Sequence, residues 1–96
     1  MYAHVLWDLP DDPHGNVAHI REHGLTEDDI EDVLYRSDSV TTISRSSGEP
    51  ITFGYTGLGQ YIAVVWEHVD DDPLTMRPIT AYPVPEPRRG NRSIDS

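Results

Sequence analysis

Gln60-Tyr61-Ile62-Ala63-Val64-Val65-Trp66-Glu67-His68 is the longest unbroken run of strand-favouring residues in the chain. β-Branched and aromatic side chains dominate it. Gly57 and Gly59 precede it and Asp70-Asp71-Asp72-Pro73 follows, so turn residues bound it on both sides. Successive strand side chains point to opposite faces, which sorts Ile62, Val64 and Trp66 onto one face and Tyr61, Ala63, Val65 and Glu67 onto the other. The first face is wholly apolar and calls for a covering layer. The second carries a phenol at one end and a carboxylate at the other, and any function is expected there.

Outward from this central strand the elements follow in a simple order. On its N-terminal side Ile51 to Thr56 alternates, and Gly57-Leu58-Gly59 joins the two as a tight hairpin. Ser39 to Ser46 reads as a more polar strand ahead of the Ser47-Gly48-Glu49-Pro50 turn. On the C-terminal side Thr75 to Tyr82 reads as the last strand. Pro78 inside it lacks an N–H, which predicts an edge strand or a bulge. At the other end of the chain Tyr2 to Trp7 reads as a first strand, stopped by Pro10 and Pro13.

Two helices lie between. Asn16 is placed to cap a short helix over Val17 to His23, with Gly24 at its end and Val17 and Ile20 turned inward. Thr26 and Asp29 form a variant capping box for a second helix, Glu27 to Tyr35, flanked by the staple pair Leu25 and Ile30. Glu27, Asp28 and Asp29 suit the positive end of its dipole, and Ile30, Val33 and Leu34 form its packing stripe. The expected architecture is α+β: β-α-α-β-β-β-β, a four- to five-stranded antiparallel sheet with both helices on the Ile62/Val64/Trp66 face. Residues 1–82 form the single domain, and the Pro/Arg-rich 83–96 is expected to be extended or disordered.

Composition bounds the function. A chain of 96 residues buries one modest core, not a deep enclosed active site. The absence of cysteine excludes disulfides and thiolate metal sites. No stretch has the character of a signal peptide or a membrane span, which predicts a cytoplasmic protein with no membrane partner. The net charge is −10 and all seven basic residues are arginine, three of them (Arg88, Arg89, Arg92) near the C-terminus. Such a balance disfavours unaided binding of RNA or DNA.

Three groups of side chains have chemistry to offer. His19 and His23, four apart, share a helix face but lack a nearby third ligand, and both are expected to point away from Val17 and Ile20. Asp70-Asp71-Asp72 lacks the spacing of a calcium loop and reads as a solvated turn. No metal or other cofactor is therefore expected. Tyr61, Glu67, Arg45 and Arg77 could form an acid–base and phosphate-binding set on one sheet. Cleavage of RNA by its 2′-OH needs a base, an acid and cations on the phosphate, with Glu67 as base and Arg77 as clamp. Whether Arg77 stands opposite Glu67 or opposite Trp66 is left open by the pattern.

From Val5 to about Tyr82 the chain resembles the BrnT-like toxins of type II toxin–antitoxin pairs, which are related in fold to the RelE/ParE toxins. The resemblance is carried by Trp7-Asp8, by Asn16 through His23-Gly24-Leu25-Thr26, and by Glu31-Asp32-Val33-Leu34. Gly54, Tyr61-Ile-Ala-Val-Val-Trp66 and Met76-Arg77-Pro78-Ile79-Thr80-Ala81 complete it. It implies a RelE/ParE-like fold, an mRNA-cleaving toxin and a cognate antitoxin as partner, with Arg77, His23 and Asn16 at functional positions. Several family cations are replaced: Glu22 stands for a lysine, Glu49-Pro50 for an arginine, Tyr82 for the second arginine of the last strand, and prolines for a C-terminal helix. The other expectation is a non-catalytic protein-binding module on the same fold, whose partner presents a basic surface.

Overall fold

The computed structural model describes residues 3–87. The elements are β1 (Ala3–Val5), α1 (Asn16–Glu22), α2 (Glu27–Tyr35), β2 (Val40–Ile43), β3 (Pro50–Tyr55), β4 (Tyr61–Asp71) and β5 (Leu74–Pro83). They build an α+β domain of one five-stranded sheet, in the order β1-β5-β4-β3-β2, and two helices.

β4 is the spine of the sheet, paired antiparallel with β3 on one side and β5 on the other. The hairpin between β3 and β4 closes at Thr56, whose backbone N–H donates to the Gln60 carbonyl at 2.8 Å. The apolar face of β4 is the covered one: Ile62 and Val64 join Ile20, Leu25, Ile30, Val33 and Ala81 in a fully buried core, with Trp7, Leu34 and Trp66 at its margin. Burying a side chain of this size contributes roughly 1.5–3 kcal/mol, so these positions hold the helix layer to the sheet.

α2 begins and ends where its local signals put it. The Thr26 hydroxyl accepts from the Asp29 backbone N–H, the Asp29 carboxylate accepts from that of Thr26, and Leu25 and Ile30 are both buried. α1 differs at its start. Gly15, not Asn16, is the N-cap, and the helix is capped from outside by the Asp8 carboxylate, which accepts the Asn16 N–H at 2.8 Å. Gly24, with φ of +78°, turns the chain out of α1.

The sheet is mixed, not antiparallel throughout. β1 lies parallel to β5, with Ala3 opposite Leu74 and Val5 opposite Met76. The strands joined by tight turns have no choice of direction. β1 is joined to the rest through two helices, so no tight turn fixes its direction, and it takes the edge parallel to β5. β1 covers only the first residues of β5. Further along, α1 takes over the edge: the Asn16 amide donates to the Pro78 carbonyl at 2.9 Å, and His19 Nδ1 lies 3.3 Å from the Ile79 carbonyl. An exposed row of carbonyls is thereby closed against strand addition. His19 accordingly faces β5, contrary to its expected outward orientation, because the helix lies beside the strand edge and not over the middle of the sheet.

β5 runs one residue past Tyr82, and the following segment stays on the sheet: the Val84 N–H donates to the Tyr61 carbonyl at 3.2 Å and the Tyr55 hydroxyl to Glu86 at 3.3 Å. The rest of the tail, 88–96, and Tyr2 lie outside the described residues. No helix among the described residues is long and apolar enough to cross a membrane.

Candidate functional site

A bulge in β5 decides which face Arg77 occupies. Tyr82 pairs with Ala63 and Thr80 with Val65, but Trp66 then pairs with Pro78, so Ile79 is the extra residue. Without it Arg77 would fall opposite His68 and point to the helix side. With it Arg77 stands opposite Glu67 on the open face. Pro78, buried and lacking an N–H, sits where the ladder is already broken.

Arg77 is held on both sides. Its Nη1 donates to Glu67 Oε2 at 3.2 Å and its Nη2 to Asp8 Oδ2 at 2.7 Å. The Asp8 oxygen also receives the Asn16 N–H. Asn16, 2% exposed, completes the joint: its Oδ1 accepts from the Asp8 N–H at 2.9 Å, and its Nδ2 donates to the carbonyls of Leu6 at 3.1 Å and Pro78. Gly15 lets Asp8 come this close, since a Cβ there would lie 2.8 Å from Asp8 Cβ. The end of β1, the start of α1, β4 and β5 therefore meet at one guanidinium flanked by two carboxylates, the whole half-exposed. One cation between two anions leaves a local charge of −1. A phosphate reaching Arg77 displaces Glu67 more readily than Asp8, because the Glu67 contact is longer and its side chain is 46% exposed against 26% for Asp8.

The other candidates are not gathered here. Tyr61 shares the Glu67 face but lies six residues along β4, about 20 Å away at the usual strand rise. It belongs to an aromatic group, its ring centroid 4.8 Å from Tyr55 and 6.4 Å from Phe53. His23, at the C-terminal end of α1, packs against Tyr82 with centroids 6.1 Å apart. Arg45 is exposed in the turn between β2 and β3, and of the four described arginines it alone has no carboxylate partner. Of the six residues picked from the sequence, Arg77 and Glu67 meet, and Asn16 joins them through Asp8. Asp8 was not among the six, although it stands in the Trp7-Asp8 pair that carries the resemblance.

His19 and His23 are separated by their different partners, and among the described residues no group of three or more His, Asp or Glu side chains is arranged to hold a metal. Asp70 and Asp71, read from the sequence as part of a solvated turn, are instead the last residues of β4, paired with Thr75 and Leu74. His68 Nε2 pairs with Asp71 Oδ1 at 2.8 Å, and Asp70 Oδ1 accepts from the next two backbone amides. At the end of α2, Arg36 donates from Nε and Nη2 to the two oxygens of Asp38 at 2.9 and 3.1 Å. The hydrogen bond from Arg36 lowers the Asp38 carboxyl below its ordinary range and that of Asp38 raises the Arg36 guanidinium. A lowered carboxyl favours the fold above its unfolded-state value and loses that contribution as pH falls through the folded one. Both groups are exposed, so the effect shows in titration: by NMR, Asp38 is expected to titrate below the ordinary range of an aspartate, and Arg36→Gln to raise it.

No protein-family model matches the chain, and no curated protein and no solved structure is significantly similar to it.

Proposed function

We propose that the chain is a BrnT-like toxin homologue of a type II toxin–antitoxin pair, built on a RelE/ParE-like arrangement, with mRNA cleavage as its activity and a small antitoxin as its partner. One observation supports this reading above the others. Segments that carry the resemblance, far apart in sequence, converge at one point: Asp8, Asn16, Arg77 and Pro78 form a single hydrogen-bonded joint beside Glu67.

In this reading a backbone phosphate takes the place of Glu67 on Arg77 Nη1, while Asp8 keeps Nη2 and fixes the guanidinium plane. The freed Glu67 carboxylate accepts the proton of the attacking 2′-OH. Arg77 stabilises the charge that grows on the phosphate oxygens, and the 5′ oxygen leaves with a proton from Glu67 or water, giving a cyclic phosphate. Expression is expected to arrest growth, and Arg77→Ala to release the arrest and cut RNA cleavage by about 10²–10³-fold. Thermal denaturation of the variant must show it folded, with Arg77→Met as the replacement if it is not. Harmless expression of the parent together with RNA left intact by purified protein refutes the reading.

A second reading, the non-catalytic protein-binding module, has its own support. Arg77 is already neutralised by two carboxylates, and residues 3–87 hold four arginines against sixteen Asp and Glu, a net of −12. It predicts a stable complex with a basic protein partner and no change in RNA.

A further inference from the structure

The helix layer is too short for the sheet beneath it. α2 spans about 13 Å at the usual helical rise, whereas β4 extends over about 36 Å. α1 is drawn off to the β5 edge, where its Asn16 and His19 side chains are anchored. The inner face of the sheet is therefore open beyond the last turn of α2. There a groove of about 300 Å³ crosses the strands, with Leu34 and Tyr35 as one wall, Thr41 at the outer strand, and Trp66, Leu74 and Met76 along the floor. Its floor is pre-set: the Trp66 indole N–H donates to the Thr52 hydroxyl at 2.8 Å, which is in turn 2.7 Å from that of Thr41. The indole is thus fixed in place, half-buried at the margin of the core.

Charge identifies the occupant. The one cation in the groove, Arg36, is matched by Asp38. Beyond Leu74 the hairpin carries Asp70, Asp71 and Asp72, and from Tyr35 back along α2 stand Asp32, Glu31 and Asp28. An apolar floor between two acidic rims, on a body of net −12, repels a nucleic-acid backbone and a second copy alike.

We propose that this groove receives a cationic amphipathic segment of a partner protein, its apolar side chains on Trp66, Leu74 and Met76 and its Lys or Arg residues against the two acidic rims. The surface is on the opposite face of the sheet from the Glu67–Arg77 pair, so the proposal goes beyond the toxin reading and stands without it.

Three synthetic helical peptides test it: a Lys/Leu amphipathic peptide, its Glu/Leu counterpart, and a Lys/Ser peptide of the same charge with no apolar face. Binding is followed by tryptophan fluorescence and by NMR of the Trp66 indole N–H. The Lys/Leu peptide alone is expected to bind saturably and to shift Trp66, Thr41 and Leu74. Leu74→Arg is expected to weaken it at least tenfold, as is Tyr35→Ala, which removes the half-exposed wall and serves if Leu74→Arg does not fold. Equal binding of the Lys/Ser peptide, binding unchanged in both variants, shifts centred on the Tyr61 face, or no binding of the Lys/Leu peptide would each overturn the proposal. Growth arrest by the full chain is a separate readout, so loss of peptide binding and loss of toxicity are told apart.

Discussion

Asn16→Asp is expected to abolish or nearly abolish folding at neutral pH, although it exchanges one amide NH₂ for an oxygen. The amide is 2% exposed and donates to two carbonyls, those of Leu6 and Pro78. An Asp carboxylate has no hydrogen to give and would face both carbonyls with negative charge, in a site that Asp8 already occupies with its own carboxylate. Each buried group left without a partner costs roughly 1–3 kcal/mol, and burying an unpaired charge costs more. A domain of this length is stable by about 5–15 kcal/mol, so the sum takes most of the margin. Asn16→Ala removes the donor without adding charge. It is expected to cost about 3–4 kcal/mol, from the carbonyls of Leu6 and Pro78 and the Asp8 N–H left unpaired. Urea denaturation of the parent, Asn16→Ala and Asn16→Asp should give midpoints in that falling order. An Asn16→Ala midpoint equal to the parent would mean that the joint does not hold α1 to β1 and β5.

Asn16 also shows where a reading from sequence stops. Placed after glycine and before an apolar helical stripe, it has the local signature of a cap, and capping is decided within four residues. Its actual partners include a carbonyl 62 positions away. By contrast every determinant of α2 is local: Thr26, Asp29, Leu25 and Ile30 lie within six residues, and the helix forms between the limits they set. β4 was legible for the same reason, since alternation inside one run sorts its faces. The direction of β1 was not, because nothing within Ala3–Val5 records which strand it will lie beside.

Arg77 falls between these cases. Its type, and its place in the Met76-Arg77-Pro78-Ile79 stretch, marked it as a candidate. Its face depended on one extra residue in a ladder, and Pro78 allowed either an edge or a bulge. Glu67 was read correctly as an outward carboxylate, although the central strand continues past it to Asp71. Asp8 was passed over because it stands just before two prolines, in what reads as a stop signal. Only the folded chain brings it 2.7 Å from a guanidinium 69 residues on.

Gly54→Val is expected to be as damaging as Asn16→Asp, for a steric reason. Gly54 is the penultimate residue of β3, on the buried face, where alternation alone would accept any small or apolar side chain. The backbone of β3 is covered there by the segment leaving α2: the Ser39 hydroxyl donates to the Val33 carbonyl at 2.7 Å, directly above Gly54. A Cβ at Gly54 would overlap that hydroxyl and come within 3.2 Å of Val33 Cγ1, with the hydroxyl tied and Val33 fully buried. Neither neighbour can yield without breaking the hydrogen bond or lifting α2 from the sheet. Overpacking of this kind costs about 1–3 kcal/mol for single methylenes, and a valine adds three carbons. Gly54→Val is expected to be largely unfolded and Gly54→Ala folded but lower in midpoint by several degrees. Two nearby glycines calibrate the claim. At Gly57 the added Cβ meets only the tip of the Asp32 side chain at 2.9 Å, and at Gly59 it meets nothing, although φ there is +86°. Gly57→Ala should therefore be mild, and Gly59→Ala should cost about 1 kcal/mol from backbone strain alone. If thermal denaturation places Gly54→Ala at or above Gly59→Ala, the packing of the Ser39 segment on β3 is looser than this geometry requires.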